Sequence, residues 1–228
     1  MPGKIIVAID GPSGAGKSTV SKRLADELGY VYIDTGAMYR AIGWKAVKLG
    51  VLPKEGPELA ALCANTEVRL GLVDGEPKVY VDGEDVTGLI RTPEMSMTAS
   101  AVSAQPSVRA RLLELQRDMG RGGGVVLEGR DIGTVVFPDA GIKFFLVADV
   151  AERARRRYEE LKAKGVDVDL AKTLEEVEKR DYDDSSRGIA PLVKADDALV
   201  VDTTKMTIDE VVAFMKARVE EAADRAGA

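Results

Sequence analysis

The sequence predicts an α/β fold: a parallel sheet flanked by helices, with a small antiparallel β lobe inserted into it and a helical lid. Three observations carry that expectation. Short apolar runs alternate with longer amphipathic stretches, the order that builds strand–helix–strand units around a parallel sheet. The first run, residues 5–9, passes through a glycine-rich turn straight into a helical pattern. Residues 67–87, EVRLGLVDGEPKVYVDGEDVT, break the alternation with period-two patterning and two Asp-Gly pairs.

Taken in order, residues 5–9 read as a fully buried strand and 17–28 as a helix. A short strand at 31–33 precedes helices at 36–49 and 57–65. Asp74-Gly75 and Asp82-Gly83 are hairpin-turn signals, so 67–87 becomes a sheet of two or three antiparallel strands. Helices follow at 93–104 and 107–119, then the glycine run 122–124 and strands at 125–127 and 142–148. Two charged helices, 150–164 and 170–184, meet at Gly165 and suit a hinged lid. A strand at 198–201 and a helix at 207–223 close the pattern, and the acidic stretch after Val219 reads as a solvated helix end.

Composition narrows the function before any motif is invoked. A chain of 228 residues suits one domain, residues 1–228, on the prior of roughly 100–200 residues per domain. The opening MPGKIIVAIDG reads as a buried strand rather than a signal or membrane segment, and a single cysteine, Cys63, forms no internal disulfide. A cytoplasmic protein without membrane partners is expected, and a monomer, since no long apolar stripe stands out. Cys63 reads as a small buried hydrophobe. The net charge of −6 argues against a nucleic-acid polymer as partner. Histidine is absent, which excludes imidazole bases, histidine triads and histidine metal ligands.

Gly11, Pro12, Ser13, Gly14, Ala15, Gly16, Lys17, Ser18 and Thr19 contain the G-x-x-x-x-G-K-[ST] pattern between a strand and a helix. This is a P-loop, and it makes the sheet one of the P-loop NTPase type. Backbone N–H groups in such a loop curl around phosphates, and the helix that follows aims its positive end at the same anion. Lys17 is placed to bridge the β- and γ-phosphates of ATP, and the Ser18 hydroxyl to hold Mg2+. The arginines favour phosphoryl transfer over a switch, because planar guanidinium forks suit phosphate oxygens. A regulatory GTPase would need an N-K-x-D element to read guanine, and the chain has none. Arg40 follows the second strand and Arg130 follows the strand at 125–127, where open α/β sheets bind ligands. Asp131 could accept from a base amine, or simply cap a helix.

Together, IDGPSGAGKST, IDTGAMYR, EGRDIGTVVFPDA, KRDYDDSSRGIAPL and ADDALVVDTT resemble the bacterial cytidylate kinase family over nearly the whole chain. The resemblance implies transfer of the γ-phosphoryl group of ATP to CMP or dCMP. It also implies that residues 36–105 form an acceptor-nucleotide-binding insert and 150–187 the lid. Arg40 and Arg130 would hold the acceptor phosphate, with Thr35 in the matching IDTG motif and Arg187 near the phosphates. Ser100, Arg109 and Asp131 would read cytosine, Arg180 and Asp184 would contact the sugar, and Arg157 would approach the transferring group. The chain departs from some members at Thr35, where they carry Ser, and before Arg187, where they carry extra arginines. Two other readings stand beside this one: a P-loop kinase for UMP, AMP or a shikimate-like acceptor, and a non-catalytic ATP-binding module.

Overall fold

A computed structural model describes residues 3–227. The chain divides into two compact units, one built from the residues up to Tyr32 and from Gly120 onward, the other from Ile33–Met119.

The first unit is organised around β1 (Ile6–Asp10), whose five residues are almost wholly enclosed. The sheet runs β2 (Val31–Asp34), β6 (Val125–Gly129), β1, β7 (Ile142–Val147), β8 (Leu199–Asp202). Parallel ladders set Asp10 opposite Gly129 on one side and Phe145 on the other. β1 leads on to β2 on one side and its neighbour β7 leads on to β8 on the other, so the winding reverses beside β1, the position at which open α/β sheets bind ligands.

Helices α1 (Lys17–Leu28) and α8 (Ile208–Gly227) supply the apolar cover. Val20, Leu24 and Ala25 of α1 cluster with Val211, Met215 and Val219 of α8 against Val7, Ile9 and Phe144 of the sheet. The apolar stripe of α8 continues past Val219 to Ala222 and Ala223, both buried. The acidic stretch is the solvated helix end expected from its charges, with Glu220, Glu221 and Asp224 exposed, while Ala222 and Ala223 between them turn inward. Two helices, α6 (Val150–Ala163) and α7 (Leu170–Ser186), pack on one another, each started by an aspartate, Asp149 or Asp169, that accepts from first-turn amides.

The second unit has its own core. It holds helices α2 (Thr35–Lys48), α3 (Pro57–Ala64), α4 (Pro93–Ser103) and α5 (Pro106–Gly120) and a sheet of β3 (Val68–Val73), β4 (Glu76–Val81) and β5 (Glu84–Asp85), with α2 packed on β3 and β4. Met38, Ile42, Leu59, Val81, Ile90 and Leu112 fill its centre. The two Asp-Gly pairs behave as the sequence predicts. Asp74 and Gly75 have φ of 53° and 78°, and Asp82 and Gly83 have 51° and 84°. Two successive positive φ angles make the tight turn whose twist matches an antiparallel ribbon, and aspartate and glycine tolerate it. No helix among the described residues is long and apolar enough to cross a membrane.

Phe144 is fully buried on β7, whereas Phe214 on α8 is partly exposed. Phe144→Ala is expected to cost about 3–5 kcal/mol of unfolding free energy through the cavity it leaves. Phe214→Ala is expected to cost less than about 1 kcal/mol. Urea titration of both variants checks the contrast; equal losses would show that the core has been misplaced.

Candidate functional site

The loop after β1 keeps its shape because side chains are missing where the backbone is crowded. A Cβ on Gly11, at φ 146°, would lie 2.1 Å from the Leu146 carbonyl oxygen, and one on Gly14, at φ 78°, would lie 2.9 Å from Cβ of Arg153. Gly16 caps α1 without a side-chain bond, leaving the first-turn amides of the helix to point outward with its positive end. Ser18 and Thr19 stand exposed at that end.

Lys17 is buried, and its ammonium donates to the Gly11 and Pro12 carbonyls, both at 2.7 Å. Burial, reinforced by the positive charges of Arg130 and Arg180, brings its pKa down to about 7, with Glu128 and Asp10 opposing the fall. A phosphate anion beside this group would hold the proton more firmly.

Arginines grip the loop from behind. Arg153 of α6 donates to the Ser13 carbonyl at 3.1 Å, to the Ala148 carbonyl at 3.0 Å and to Asp181 of α7 at 2.6 Å. Arg180 of α7 donates to the Ser13 hydroxyl at 3.2 Å. Thr203, after β8, donates to the Ala15 carbonyl at 3.1 Å and is itself held by Arg156. The loop is thus fastened to both α6 and α7.

The chain leaving β6 carries the second group. Arg130 donates to Asp184 at 2.7 Å. Burial pushes the Asp184 carboxyl up, but Arg130, followed by Arg180, outweighs it and the net shift is downward. Arg187 donates to the Ala190 carbonyl at 2.7 Å and lies 3.6 Å from Asp131. Asp131 is buried and opens a single turn of π-helix, Ile132–Val136, closed by bonds from Val136 to Asp131 and from Phe137 to Ile132. Its side chain does not cap that turn, so the helix-cap alternative fails. Arg157 pairs with Glu160 at 2.9 Å on the surface of α6.

In the second unit, Asp34 caps α2 by accepting from the Ala37 amide at 2.9 Å and takes Arg40 at 2.8 Å. Thr35 is buried at the start of α2. Arg109 is buried, donates to the Ser103 carbonyl at 3.2 Å and lies over the Tyr39 ring at 5.8 Å. Ser100, on α4, is half-buried and accepts the Ser103 hydroxyl on its carbonyl at 2.8 Å. The predicted residues thus fall into two sets: Thr35, Arg40, Ser100 and Arg109 in this unit, the remainder in the first.

Residues 7–221 match the family described as cytidylate kinase. The chain belongs to the cytidylate kinase family. A cytidylate kinase of Syntrophotalea carbinolica is 58% identical, over 93% of this chain and 90% of its own. One from Geobacter sulfurreducens is 56% identical, over 95% and 93%. Among solved structures, an uncharacterized protein from Eubacterium ventriosum superposes with a TM-score of 0.53 over 95% of this chain and 99% of its own, at 14% identity. Shikimate kinase from Bacteroides thetaiotaomicron gives a TM-score of 0.50 over 96% and 99%, at 12% identity. These likenesses show the fold alone.

Several groups at the site escape a motif reading. Glu128, buried at the end of β6, accepts the Tyr32 hydroxyl in a close hydrogen bond. Arg153 looks from sequence like one more arginine on a charged helix; only its burial sets it apart from Arg155, which is spent on Glu152 and Glu159 at the surface. Asp10 looks like the end of a strand. An acid directly before a glycine-rich loop, in an otherwise apolar run, was the one available signal.

The Lys17 shift has a definite pH signature. Below about pH 7 the ammonium is charged in both folded and unfolded chains, so its contribution is constant. Between about pH 7 and 10 the unfolded chain binds the proton and the folded one releases it, so stability rises with pH. Relative to Lys17→Met, the wild-type unfolding free energy is expected to climb by about 1 kcal/mol per pH unit across that window. Parallel pH dependences from denaturant titrations would show that Lys17 is not held in a depressed state.

Proposed function

We propose that the chain performs the reaction of its family, transferring the γ-phosphoryl group of ATP to CMP or dCMP and releasing ADP and CDP or dCDP. The observation that carries this reading is the family match across residues 7–221. In this reading residues 11–19 wrap the polyphosphate of ATP, with Lys17 carrying positive charge to its β- and γ-phosphates. Arg40, Arg130 and Arg187 are the residues assigned to the acceptor phosphate, and Arg157, paired with Glu160 here, to the transferring group. Asp131 accepts from the exocyclic amine of cytosine, assisted by Ser100 and Arg109, while Arg180 and Asp184 meet the sugar and Thr35 lines the acceptor side. Residues 36–105 act as the acceptor insert and 150–187 as the lid.

A nucleoside monophosphate is a dianion near neutral pH, so its attacking oxygen needs no general base, and the lack of histidine is no obstacle. Positioning and electrostatic stabilisation supply the catalysis. Mg2+ fits the residues present. It keeps several waters and takes few protein ligands. Among the described residues no group of three acidic, histidine or cysteine side chains forms a self-sufficient metal site, whereas the exposed Ser18 hydroxyl offers one oxygen beside bound phosphates. When bound, the ion neutralises charge on the β- and γ-phosphates. We place the protein in the cytoplasm, as a monomer without nucleic-acid or membrane partners.

An ADP-release assay with CMP, dCMP, UMP, AMP and shikimate as acceptors tests the reading. Turnover with CMP and dCMP well above the others is expected. Asp131→Ala removes a charge-assisted hydrogen bond worth about 1.5–3 kcal/mol, so kcat/KM for CMP is expected to fall roughly 10- to 150-fold. The preference for CMP over UMP should shrink with it. Turnover that favours another acceptor would sink the cytosine assignment, and acceptor-independent ATP binding without turnover would sink the reaction.

A further inference from the structure

Asp10 has no part in the roles above, yet its carboxylate is among the most enclosed in the chain. It ends β1, is 4% exposed, and accepts from the backbone amides of Ile132 and Gly133, one on each oxygen and both at 2.8 Å. Those amides open the π turn, and the first amides of a helical segment have no partner within it. The residue directly before a helical segment ordinarily satisfies them. Here that residue is Asp131, whose side chain makes no capping bond and lies 3.6 Å from Arg187 instead. The cap comes from a strand 122 residues upstream of Ile132.

The geometry points to Asp10 as a positioning residue: by capping the π turn from β1, it leaves the Asp131 carboxylate and the neighbouring Arg130 to face the acceptor nucleotide. This rests on the reading that Arg130 and Asp131 meet the acceptor. The register strengthens it, because Asp10 also sits opposite Gly129 in the parallel ladder. Arg130 and Asp131 are thus fixed on both sides by one residue, through the ladder before them and through the cap after them. The fit is close. A Cβ on Gly133 would lie 3.4 Å from the capping oxygen and 3.0 Å from Cδ of Lys143.

The arrangement depends on charge, since a carboxylate accepts at both oxygens and a protonated carboxyl must donate from one. Around this end of β1 stand Lys17 from α1, Glu128, Arg130 and Asp131 from the end of β6, and Lys143 from β7, whose ammonium is engaged by Asp197 at 2.8 Å. Burial lifts the Asp10 carboxyl to about 6 against the pull of its two amide bonds; Asp131 adds to the rise and Lys17 opposes it. At pH 8 the cap is ionised, and below about pH 6 it is progressively lost.

The test compares wild type, Asp10→Asn and Asp131→Ala in steady-state assays with ATP and CMP from pH 5.5 to 8.5. Asparagine keeps the shape but turns a donor toward one of the amides. Asp10→Asn is expected to lower kcat/KM for CMP roughly tenfold at pH 8 while KM for ATP stays within about twofold. The acid-side loss seen in wild type should be shallower in Asp10→Asn; CMP titrates its own phosphate in both enzymes, so the difference between the profiles isolates Asp10. In wild type alone, the amide protons of Ile132 and Gly133 should move upfield together by NMR, with a midpoint near pH 6. Unchanged CMP kinetics in Asp10→Asn, with Asp131→Ala impaired, would overturn the positioning role and leave the acceptor reading intact. Unchanged CMP kinetics in Asp131→Ala would overturn the acceptor reading itself. A KM for ATP that rises as far as that for CMP in Asp10→Asn would make Asp10 general scaffold. Should that variant not fold, amides of Ile132 and Gly133 that fail to titrate together would overturn the proposal.

Discussion

A loop that holds phosphate with backbone amides must keep those amides free of its own side chains, so it cannot support itself. In this chain the loop after β1 is spread by glycines where the Leu146 carbonyl and Arg153 come close, and it is held by bonds to the backs of its peptides. Arg153 and Thr203 donate to the Ser13 and Ala15 carbonyls, acceptors that a phosphate has no use for, and Arg180 adds a bond to the Ser13 hydroxyl. The centrally placed β1 follows from the same need, because its end must be flanked by two strand ends that bring acids and arginines to one place. A site made this way is costly to assemble. Lys17, Asp10, Glu128, Asp131, Arg153 and Asp184 are all enclosed, and each is tolerable only because a neighbour of opposite charge or a backbone dipole faces it.

The backbone plan was legible because it rests on local chemistry. The strand, turn and helix around residues 5–28 follow from an apolar run, a glycine pattern and helical periodicity, and both hairpin turns from Asp-Gly pairs that accept positive φ. The family was legible because five separate motifs agree with it. What stayed hidden depends on contacts between residues far apart in sequence. Nothing local separates the buried Arg153 from the exposed Arg155 on the same helix, and nothing near Asp10 announces that the amides of Ile132 and Gly133 end there. At the helix end after Val219 the conspicuous charges face water as expected, while the two alanines that pack inward carry no signal a composition reading would weigh.

The π turn joins these two lessons. Sequence alone allowed Asp131 to be a cap, because an aspartate before a helical segment usually is one. The structure assigns the cap elsewhere, and the widened turn that results presents residues differently from an ordinary α-helical start, which is why such turns recur at functional positions.

Each unit buries its own apolar cluster, one built on β1, α1 and α8 and the other on α2, α3 and the small antiparallel sheet. Side chains that fill one cluster are not the side chains that fill the other. The consequence is evolutionary latitude. Residues 33–119 can drift or repack around their own core while the packing beneath the loop after β1 stays as it is, so changes in one cluster need not be answered by changes in the other.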